Sequence, residues 1–228
     1  MADTLILGNR SYSSWSIRVW LLAKRFDLPV DTRFIDFDDG AIADLVAAYA
    51  PARSVPILVT DEGVAIPESL AIAEELATRY PDAALWPSDP AARAAARALA
   101  AEMTCGFSAL RAACPVNLRQ AYTGFTPSAD VLTDLARIET LWTAARSRHG
   151  GEGPWLCGSY SVADAFYAPV AARIATYGLP VGPAASDYVP AHLADPAFVA
   201  CRAEGLAVEG PLARYAMDLP ERPWPGPA

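Results

Sequence analysis

The chain has 228 residues, of which 53% are hydrophobic and 19% are charged, so it carries enough apolar surface for a packed core and is not a disordered chain. Its 18 basic and 26 acidic side chains give a net charge of −8, and Lys24 is the only lysine. No basic stripe is present to neutralise phosphates or to hold an anionic lipid surface, so we expect neither a nucleic acid nor a membrane as a partner.

The N-terminal part alternates between strand and helix signals. Residues 4–8 are a β-prone run that ends in a glycine, and the apolar stretch 15–26 predicts a helix after a polar segment. Residues 30–37 predict a second strand, and residues 42–50 predict a helix that stops before Pro51.

A hairpin and a third helix follow. Residues 56–60 and 64–66 are short apolar runs on either side of a turn signal at residues 61–63. Residues 68–80 carry apolar side chains at helical spacing. The order β-α-β-α-β-β-α favours a small mixed sheet with helices on its faces.

The remaining chain is predicted to be helical. Asp89 is placed to cap a helix that begins at Pro90, and Ser161 with Asp164 has the form of a capping box. The predicted helices cover residues 91–113, 128–147, 161–177 and about 196–215, and residues 219–228 are predicted to be extended on the surface.

The composition changes after Pro81, and we place the domain boundary at residues 82–88. The N-terminal domain covers residues 1–82, and an all-helical domain covers residues 88–228. Because the N-terminal domain holds 7 basic and 13 acidic side chains, an anionic ligand there needs local partners rather than a general positive field.

The cysteines and histidines do not indicate a metal site. The four cysteines form no CxxC pair, and the two histidines do not complete any of the usual zinc-ligand spacings. We therefore expect no metal, and buried, reduced thiols in the cytoplasm. The cysteines are Cys105, Cys114, Cys157 and Cys201.

The turn before the first predicted helix is rich in hydroxyl groups. Residues 9–16 hold four serines and one tyrosine. A helix N-cap accounts for one serine and contributes about 1 kcal/mol. The others indicate a hydroxyl beside free N–H groups at a helix N-terminus, which is a ready site for an anion.

Two further stretches permit an ordinary or a functional interpretation. In the ordinary interpretation, Pro56 is a loop proline that ends one element before the next begins. In the functional interpretation, the Val55–Pro56 peptide is cis and leaves the Val55 backbone free to pair with an extended ligand. Glu68 and Ser69 are a helix cap, or they offer a carboxylate to an ammonium group and a hydroxyl to a carboxylate.

The order of these motifs resembles the cytosolic glutathione transferase family over nearly the whole chain. The Val-Pro pair stands before the third strand, Glu-Ser opens the third helix, and the Ser-x-x-Asp box lies in the helical part. The resemblance implies a thioredoxin-like domain that binds glutathione as co-substrate, and a helical domain that lines the site of a small-molecule electrophile. It also implies a homodimer.

The resemblance also implies which residues would contact glutathione. Val55, beside a cis Pro56, would hydrogen-bond the cysteinyl backbone. Glu68 and Ser69 would hold the γ-glutamyl end. The capping box would be a structural folding element.

Two more groups complete the expected site. Glutathione carries a glycyl carboxylate that needs a basic partner, for which Arg53 is the first choice and Arg10 the second. On the helical side, Phe107, Phe166 and Tyr177 are expected to form the apolar pocket for the electrophile.

The catalytic hydroxyl is expected in the serine-rich turn. Residues 13–18, Ser-Ser-Trp-Ser-Ile-Arg, are similar to the Ser-Ser-Cys-Ser-x-Arg signature of the zeta class, whose members include maleylacetoacetate isomerases. Matching the arginines assigns thiol activation to Ser13, with Ser14 as the near alternative and Tyr12 as a third candidate. Trp15 stands where that signature has cysteine.

The expected activity is that of a glutathione transferase acting on a small hydrophobic electrophile. The serine would donate a hydrogen bond to the thiolate and would not be a nucleophile, because no histidine stands near it as a base. Two alternatives stay open. One is a glutathione-dependent isomerase of the maleylacetoacetate type, and the other is a binding protein without turnover.

Overall fold

A four-stranded mixed sheet forms the N-terminal part of the fold. The computed structural model describes residues 2–227, so residues 1 and 228 of the predicted domains lie outside it. The strands are β1 (Thr4–Gly8), β2 (Asp31–Ile35), β3 (Ile57–Val59) and β4 (Ala65–Pro67). Their order is β2-β1-β3-β4, with β1 parallel to β2 and the other pairs antiparallel. The predicted mixed sheet is therefore confirmed.

Two of the three predicted N-terminal helices have close to the expected length. Helix α1 spans Ser14–Arg25 and α3 spans Ser69–Arg79. The helix predicted over residues 42–50 is shorter, because α2 covers only Ile42–Leu45 and a 3₁₀ turn follows at Ala47–Tyr49. Neither short segment buries a residue, and between them only Val46 enters an apolar cluster, so little packing stabilises a longer helix there.

The second part of the chain is helical, as predicted. Within the described residues, none of its helices or of α1 to α3 is long and apolar enough to cross a membrane. The helices are α4 (Pro90–Cys105), α5 (Ser108–Ala113), α6 (Ala129–His149), α7 (Val162–Tyr177), α8 (Ala184–Ala194) and α9 (Pro196–Val208).

The helical part differs from the prediction in three ways. The helix predicted over residues 91–113 is divided, because Phe107 has a left-handed backbone with φ of +57°. Helix α9 ends at Val208 rather than near residue 215, since Pro211 cannot continue it. Helix α8 was not predicted, because its internal Pro190 hides the helical pattern.

The C-terminal tail is extended, and it is fastened to the helical part. Strand β6 (Glu221–Arg222) pairs antiparallel with β5 (Ala121–Tyr122). The Arg222 guanidinium donates to the carbonyl of Tyr122 at 3.1 Å and to that of Ala175 at 2.5 Å.

Helix α7 is the centre of the core, since all 16 of its residues are buried. At its N-terminus the predicted capping box is confirmed. The Asp164 carboxylate accepts from the N–H of Ser161 at 2.9 Å, the N–H of Leu156 at 3.0 Å and the hydroxyl of Tyr188 at 3.1 Å. Burial raises the pKa of Asp164 to about 6.

All four cysteines are free, and three of them are buried. The expectation of a buried thiol is wrong for Cys105, which is exposed because it ends α4 where the chain turns. No group of His, Cys, Asp and Glu within residues 2–227 has the arrangement of a metal site.

The capping box gives a stability prediction. Asp164→Ala leaves four donors without their acceptor, including the Ser161 hydroxyl, and should lower the free energy of unfolding by roughly 3 to 5 kcal/mol. Asp89→Ala is the matched control, because Asp89 is an exposed N-cap that accepts only from the Ala92 N–H, at 2.8 Å. It should cost about 1 kcal/mol. Urea denaturation measures both variants, and equal losses would contradict this account of the box.

Candidate active site

A cleft of about 550 Å³ lies between the start of α1 and helices α5 and α7. Ser14 and Val55 line it on the side of the sheet, and Arg111 and Arg173 line it on the helical side. No aspartate or glutamate of the described chain lines this cleft. Other residues that line it include Tyr12, Ser13, Trp15, Phe37, Ser108 and Tyr215.

Ser13 is the N-cap of α1. Its Oγ accepts from the Ser16 N–H at 3.3 Å and donates to the Ser16 Oγ at 2.9 Å. The Ser16 Oγ also accepts from the Gly8 N–H at the end of β1, at 2.9 Å. Ser13 is only 7% exposed. Its hydroxyl therefore holds the start of α1 against the sheet.

Ser14 is the first residue of α1 and is half-buried. Within residues 2–227 its hydroxyl makes no hydrogen bond, and the N–H groups of Ser14 and Trp15 make none either. Such N–H groups at a helix N-terminus favour a negative charge. Both serines line the cleft, and Ser14 is the one whose hydroxyl has no partner in the described chain.

Tyr12, the third candidate, is held by the C-terminal segment. Its hydroxyl accepts from the Leu212 N–H at 3.1 Å and donates to the Gly210 carbonyl at 3.3 Å. The centroid of its ring lies 4.8 Å from that of Tyr215. Burial raises the pKa of the Tyr12 hydroxyl. Both hydrogen-bonding roles of this hydroxyl are thus filled within the protein.

Arg10 is also bound to the C-terminal part of the chain. Its guanidinium bonds Glu204 at 3.1 Å and stacks on Phe34 at 3.3 Å. The buried carboxylate of Glu209 accepts from the backbone N–H of Arg10 at 2.6 Å and of Ser11 at 2.9 Å. The structure therefore does not bring Arg10, the second choice for the glycyl carboxylate, into the cleft.

The Val55–Pro56 peptide bond is cis, as the sequence analysis expected. Both residues are buried, and Val55 lines the cleft. Strand β3 begins only at Ile57, and within the described residues the N–H and carbonyl of Val55 make no hydrogen bond. These two groups are free to pair with an extended ligand.

Arg53, Glu68 and Ser69 are not among the residues that line the cleft. Arg53 and Glu68 are exposed, and Glu68 has a φ of +76°, which is rare for a residue other than glycine. The Ser69 hydroxyl is fully buried and has no partner in the described chain. A buried hydroxyl without a hydrogen-bond partner lowers stability, and the Ser69 hydroxyl at the start of α3 is such a group.

The structure does not bring the three aromatic residues predicted for the electrophile pocket into the cleft. Phe107, Phe166 and Tyr177 are buried and none of them lines the cleft. Helix α7 is enclosed on all sides, so its aromatic side chains pack in the core. Arg111 and Arg173, from the same two helical regions, lie at the cleft instead.

Sequence reasoning therefore missed cleft residues on the helical side. The sequence did mark Arg173 as unusual, because it is the single basic residue in an otherwise apolar predicted helix. No sequence pattern indicated Tyr215, because its position in the cleft depends on how the C-terminal segment folds back onto the turn at residues 9–16.

Residues 12–79 match a known family, described as the N-terminal domain of glutathione S-transferases. Residues 12–79 are therefore similar to the N-terminal domain of glutathione S-transferases. The matched segment includes the start of α1, the cis Val55–Pro56 bond and the start of α3. The family resemblance stated from the sequence is therefore confirmed.

Two curated relatives of this glutathione S-transferase homologue are named as isomerases. The "Probable maleylacetoacetate isomerase" of Caenorhabditis elegans is 38% identical over 101 residues, which are 44% of this chain and 46% of that protein. The "Maleylacetoacetate isomerase" of Pseudomonas aeruginosa is 40% identical over 114 residues, 48% of this chain and 52% of that protein. The chain spans about half the length of these relatives.

The fold extends beyond the matched domain. A crystal structure of a glutathione transferase homolog from Burkholderia, with bound glutathione, is 24% identical and has a TM-score of 0.66. The similarity covers 92% of this chain and 100% of that one. The thioredoxin-like domain followed by a helical part is thus the glutathione transferase fold, as the sequence predicted.

The contact between Tyr12 and the C-terminal segment gives a second prediction. Tyr12→Phe removes the acceptor of the Leu212 N–H, so exchange of that amide hydrogen with solvent should become at least tenfold faster and stability should fall by about 1 kcal/mol. Hydrogen exchange followed by mass spectrometry measures this.

Tyr49→Phe is the matched control, because the Tyr49 hydroxyl accepts only a long bond of 3.4 Å from Arg33. It should leave the exchange at Leu212 unchanged. Unaltered exchange in Tyr12→Phe would contradict the role of the Tyr12 hydroxyl.

Proposed function

We propose that this protein is a glutathione transferase that stabilises the thiolate of glutathione with the Ser14 hydroxyl for attack on a small electrophile. The observation that carries this proposal is the shared cleft. Ser14, with an unpaired hydroxyl at the N-terminus of α1, and Val55, with an unpaired backbone beside a cis proline, face the same space. One extended tripeptide reaches both.

The hydroxyl and the helix together are strong enough for this task. A thiol with a pKa of about 8.5 is mostly protonated at neutral pH, and lowering that pKa by about two units requires ~2.7 kcal/mol. A hydrogen bond from a hydroxyl to an anion supplies roughly 1.5 to 3 kcal/mol, and a helix N-terminus adds about 0.3 to 1. No metal and no general base is required.

The remaining groups hold the tripeptide. The Val55 backbone pairs with the cysteinyl residue next to Pro56, and the Ser69 hydroxyl and the Glu68 carboxylate hold the γ-glutamyl end. Arg53 is exposed next to Ser54, a cleft residue, and is free to reach the glycyl carboxylate. The Ser69 hydroxyl has no partner in the described chain, but it is fully buried, so its contact with the γ-glutamyl end is supported by the family resemblance and not by the lining of the cleft.

The reaction is a nucleophilic substitution or addition at carbon. The sulfur forms a bond to the electrophilic carbon, and in a substitution the leaving group departs with its bonding electrons. The thiol proton passes to solvent, because no histidine, aspartate or glutamate of the described chain lines the cleft. Ser14 keeps its own proton and stays a donor throughout.

Cellular context is part of the proposal. We place the protein in the cytoplasm as a homodimer with a role in detoxification, with its N-terminal domain over residues 1–82 and its helical domain over residues 88–228. Free cysteines support the reducing compartment, and the family resemblance supports the dimer. Sedimentation as a single 24.2 kDa species would exclude the dimer.

A second candidate is the isomerisation of a maleylacetoacetate-type substrate. The names of the two curated relatives favour it. In that reaction the thiolate adds to a double bond, the bond rotates and elimination returns free glutathione. Product analysis separates the candidates, because conjugation consumes glutathione and isomerisation does not. Glutathione binding without turnover on either substrate class would instead indicate a binding protein.

The assignment of the thiolate partner gives a third prediction. Ser14→Ala should raise the pKa of the bound thiol by one to two units, since about 1.5 to 3 kcal/mol of hydrogen bonding to the anion is lost. The rate at neutral pH should fall by about tenfold to a hundredfold. The ultraviolet absorbance of the thiolate, titrated with pH, measures the shift.

Ser13→Ala is the matched control. It removes the N-cap of α1, so it should lower stability by about 1 kcal/mol while the thiolate absorbance and its pH profile persist. The assignment fails if Ser13→Ala abolishes the thiolate signal and Ser14→Ala does not. If both variants leave the signal unchanged, neither serine is the donor.

A further inference from the structure

The turn that presents Ser14 is held from the far end of the chain by one carboxylate. Glu209 follows the last residue of α9, and its side chain is buried. Its Oε1 accepts from the Arg10 N–H at 2.6 Å, and its Oε2 accepts from the Ser11 N–H at 2.9 Å. Because hydrogen bonds to an ionised carboxylate are the stronger kind, this single side chain fixes two successive N–H groups of the turn.

The two N–H groups depend on Glu209, because they have no other acceptor in the described chain. Ser11 is 0% exposed, so its N–H cannot turn to solvent, and a buried N–H without an acceptor is unfavourable. The Ser11 carbonyl accepts from the Leu118 N–H at 3.0 Å, in the loop after α5. The helical part of the chain therefore holds Ser11 by both its N–H and its carbonyl.

Helix α9 approaches the turn closely at Gly205, four residues before Glu209. A Cβ atom at position 205 would lie 2.7 Å from the Ser11 Oγ and 3.2 Å from the Arg10 Cβ. Glycine weakens the interior of a helix, and here it permits the approach that brings the Glu209 carboxylate to the turn. The Arg10 guanidinium lies 3.9 Å from Glu209 and pairs more closely with Glu204, at 3.1 Å.

The two residues that Glu209 holds lead directly into the start of α1. The Asn9 carbonyl accepts from the Tyr12 N–H at 3.3 Å and from the Ser13 N–H at 2.9 Å, so residues 9–13 form one hydrogen-bonded turn. Ser13 is the N-cap of α1, and Ser14 is its first residue. A displacement of residues 10 and 11 is therefore passed on to the Ser14 hydroxyl.

We propose that Glu209 is a positioning residue for the glutathione reaction, because it fixes the turn that places the Ser14 hydroxyl and the first N–H groups of α1 at the cleft. This inference rests on the proposed function. Glu209 does not line the cleft, so it acts through the turn and not by contact with a substrate. Its negative charge by itself disfavours a nearby thiolate, so an effect of position and an effect of charge have opposite signs.

Glu209→Gln tests this role at almost constant side-chain volume. A glutamine keeps one acceptor oxygen and replaces the other by an NH₂ group, so one of the two backbone N–H groups loses its acceptor. We expect exchange of the Arg10 or Ser11 amide hydrogen with solvent to become about tenfold faster or more. We also expect the pKa of the bound glutathione thiol to rise by about one unit, because the Ser14 hydroxyl is displaced from the sulfur.

Three measurements give these values. Hydrogen exchange followed by mass spectrometry reports on the turn, and the ultraviolet absorbance of the thiolate, titrated with pH, reports on the bound thiol. Calorimetry gives the affinity for S-methylglutathione, which has no thiol proton. That affinity should change less than about threefold, because the Val55 backbone beside the cis proline is not part of the turn.

Glu204→Gln is the matched control, because Glu204 lies on the same helix and bonds the Arg10 side chain rather than the backbone of the turn. It should leave the exchange and the thiol pKa unchanged. Gly205→Ala is a second variant that keeps the carboxylate and forces α9 away from the turn. It should raise the thiol pKa as Glu209→Gln does, and it decides the question if Glu209→Gln does not fold.

Three results would overturn the positioning role and leave the proposed function intact. An unchanged thiol pKa with faster exchange would show that Glu209 contributes to stability alone. A lower thiol pKa would show that Glu209 acts on the sulfur by its charge. Unchanged exchange would show that Glu209 does not hold the turn. If the native protein itself gives no thiolate absorbance with glutathione, the proposed function fails, and this inference fails with it.

Discussion

The position of the turn between β1 and α1 is the constraint on which the site depends. The Gly8 N–H at the end of β1 donates to the Ser16 Oγ in α1, which ties the two ends of the turn together. The Asn9 side chain accepts from the Phe37 N–H at 2.8 Å and holds the turn against the segment after β2. A side chain at Gly8 would overlap the Phe37 ring, so the sheet and the turn approach as closely as glycine allows. Because the turn is fixed in this way, the first N–H groups of α1 and the Ser14 hydroxyl stay open to the cleft.

The side chains that line the cleft include basic residues and no acidic ones, although the N-terminal domain as a whole is acidic. Arg79 on α3 is surrounded by four carboxylates and contributes no free positive charge. Arg111 and Arg173 lack such partners, so their charge acts within the cleft. The acidic composition of the N-terminal domain indicated that an anion would need local partners there. The structure meets that need with helix N–H groups on one wall and guanidinium groups on the other.

The parts of the fold that were predictable depend on short-range signals. The capping box at Ser161 and Asp164 and the N-cap at Asp89 are satisfied by residues within a few positions, so their pattern is complete in the sequence. The failures have tertiary causes. Residues 42–50 have good helix propensity and yet form only a short helix, and Val46 is the one residue among them that is buried. Phe107 breaks a continuous helical pattern because its backbone is left-handed.

By itself, the sequence determined the order of strands and helices in the N-terminal domain, the serine-rich turn, the proline before β3 and the family to which these motifs point. Only the tertiary structure decided which serine is free: Ser13 and Ser14 are neighbours of the same type, and the hydrogen bond of Ser13 to Ser16 separates them. It also decided that Arg173 and Tyr215, rather than Phe166, line the cleft. The physical reason is that a helix buried on every side exposes no periodic pattern, so which of its side chains meets a cavity depends on how distant segments pack.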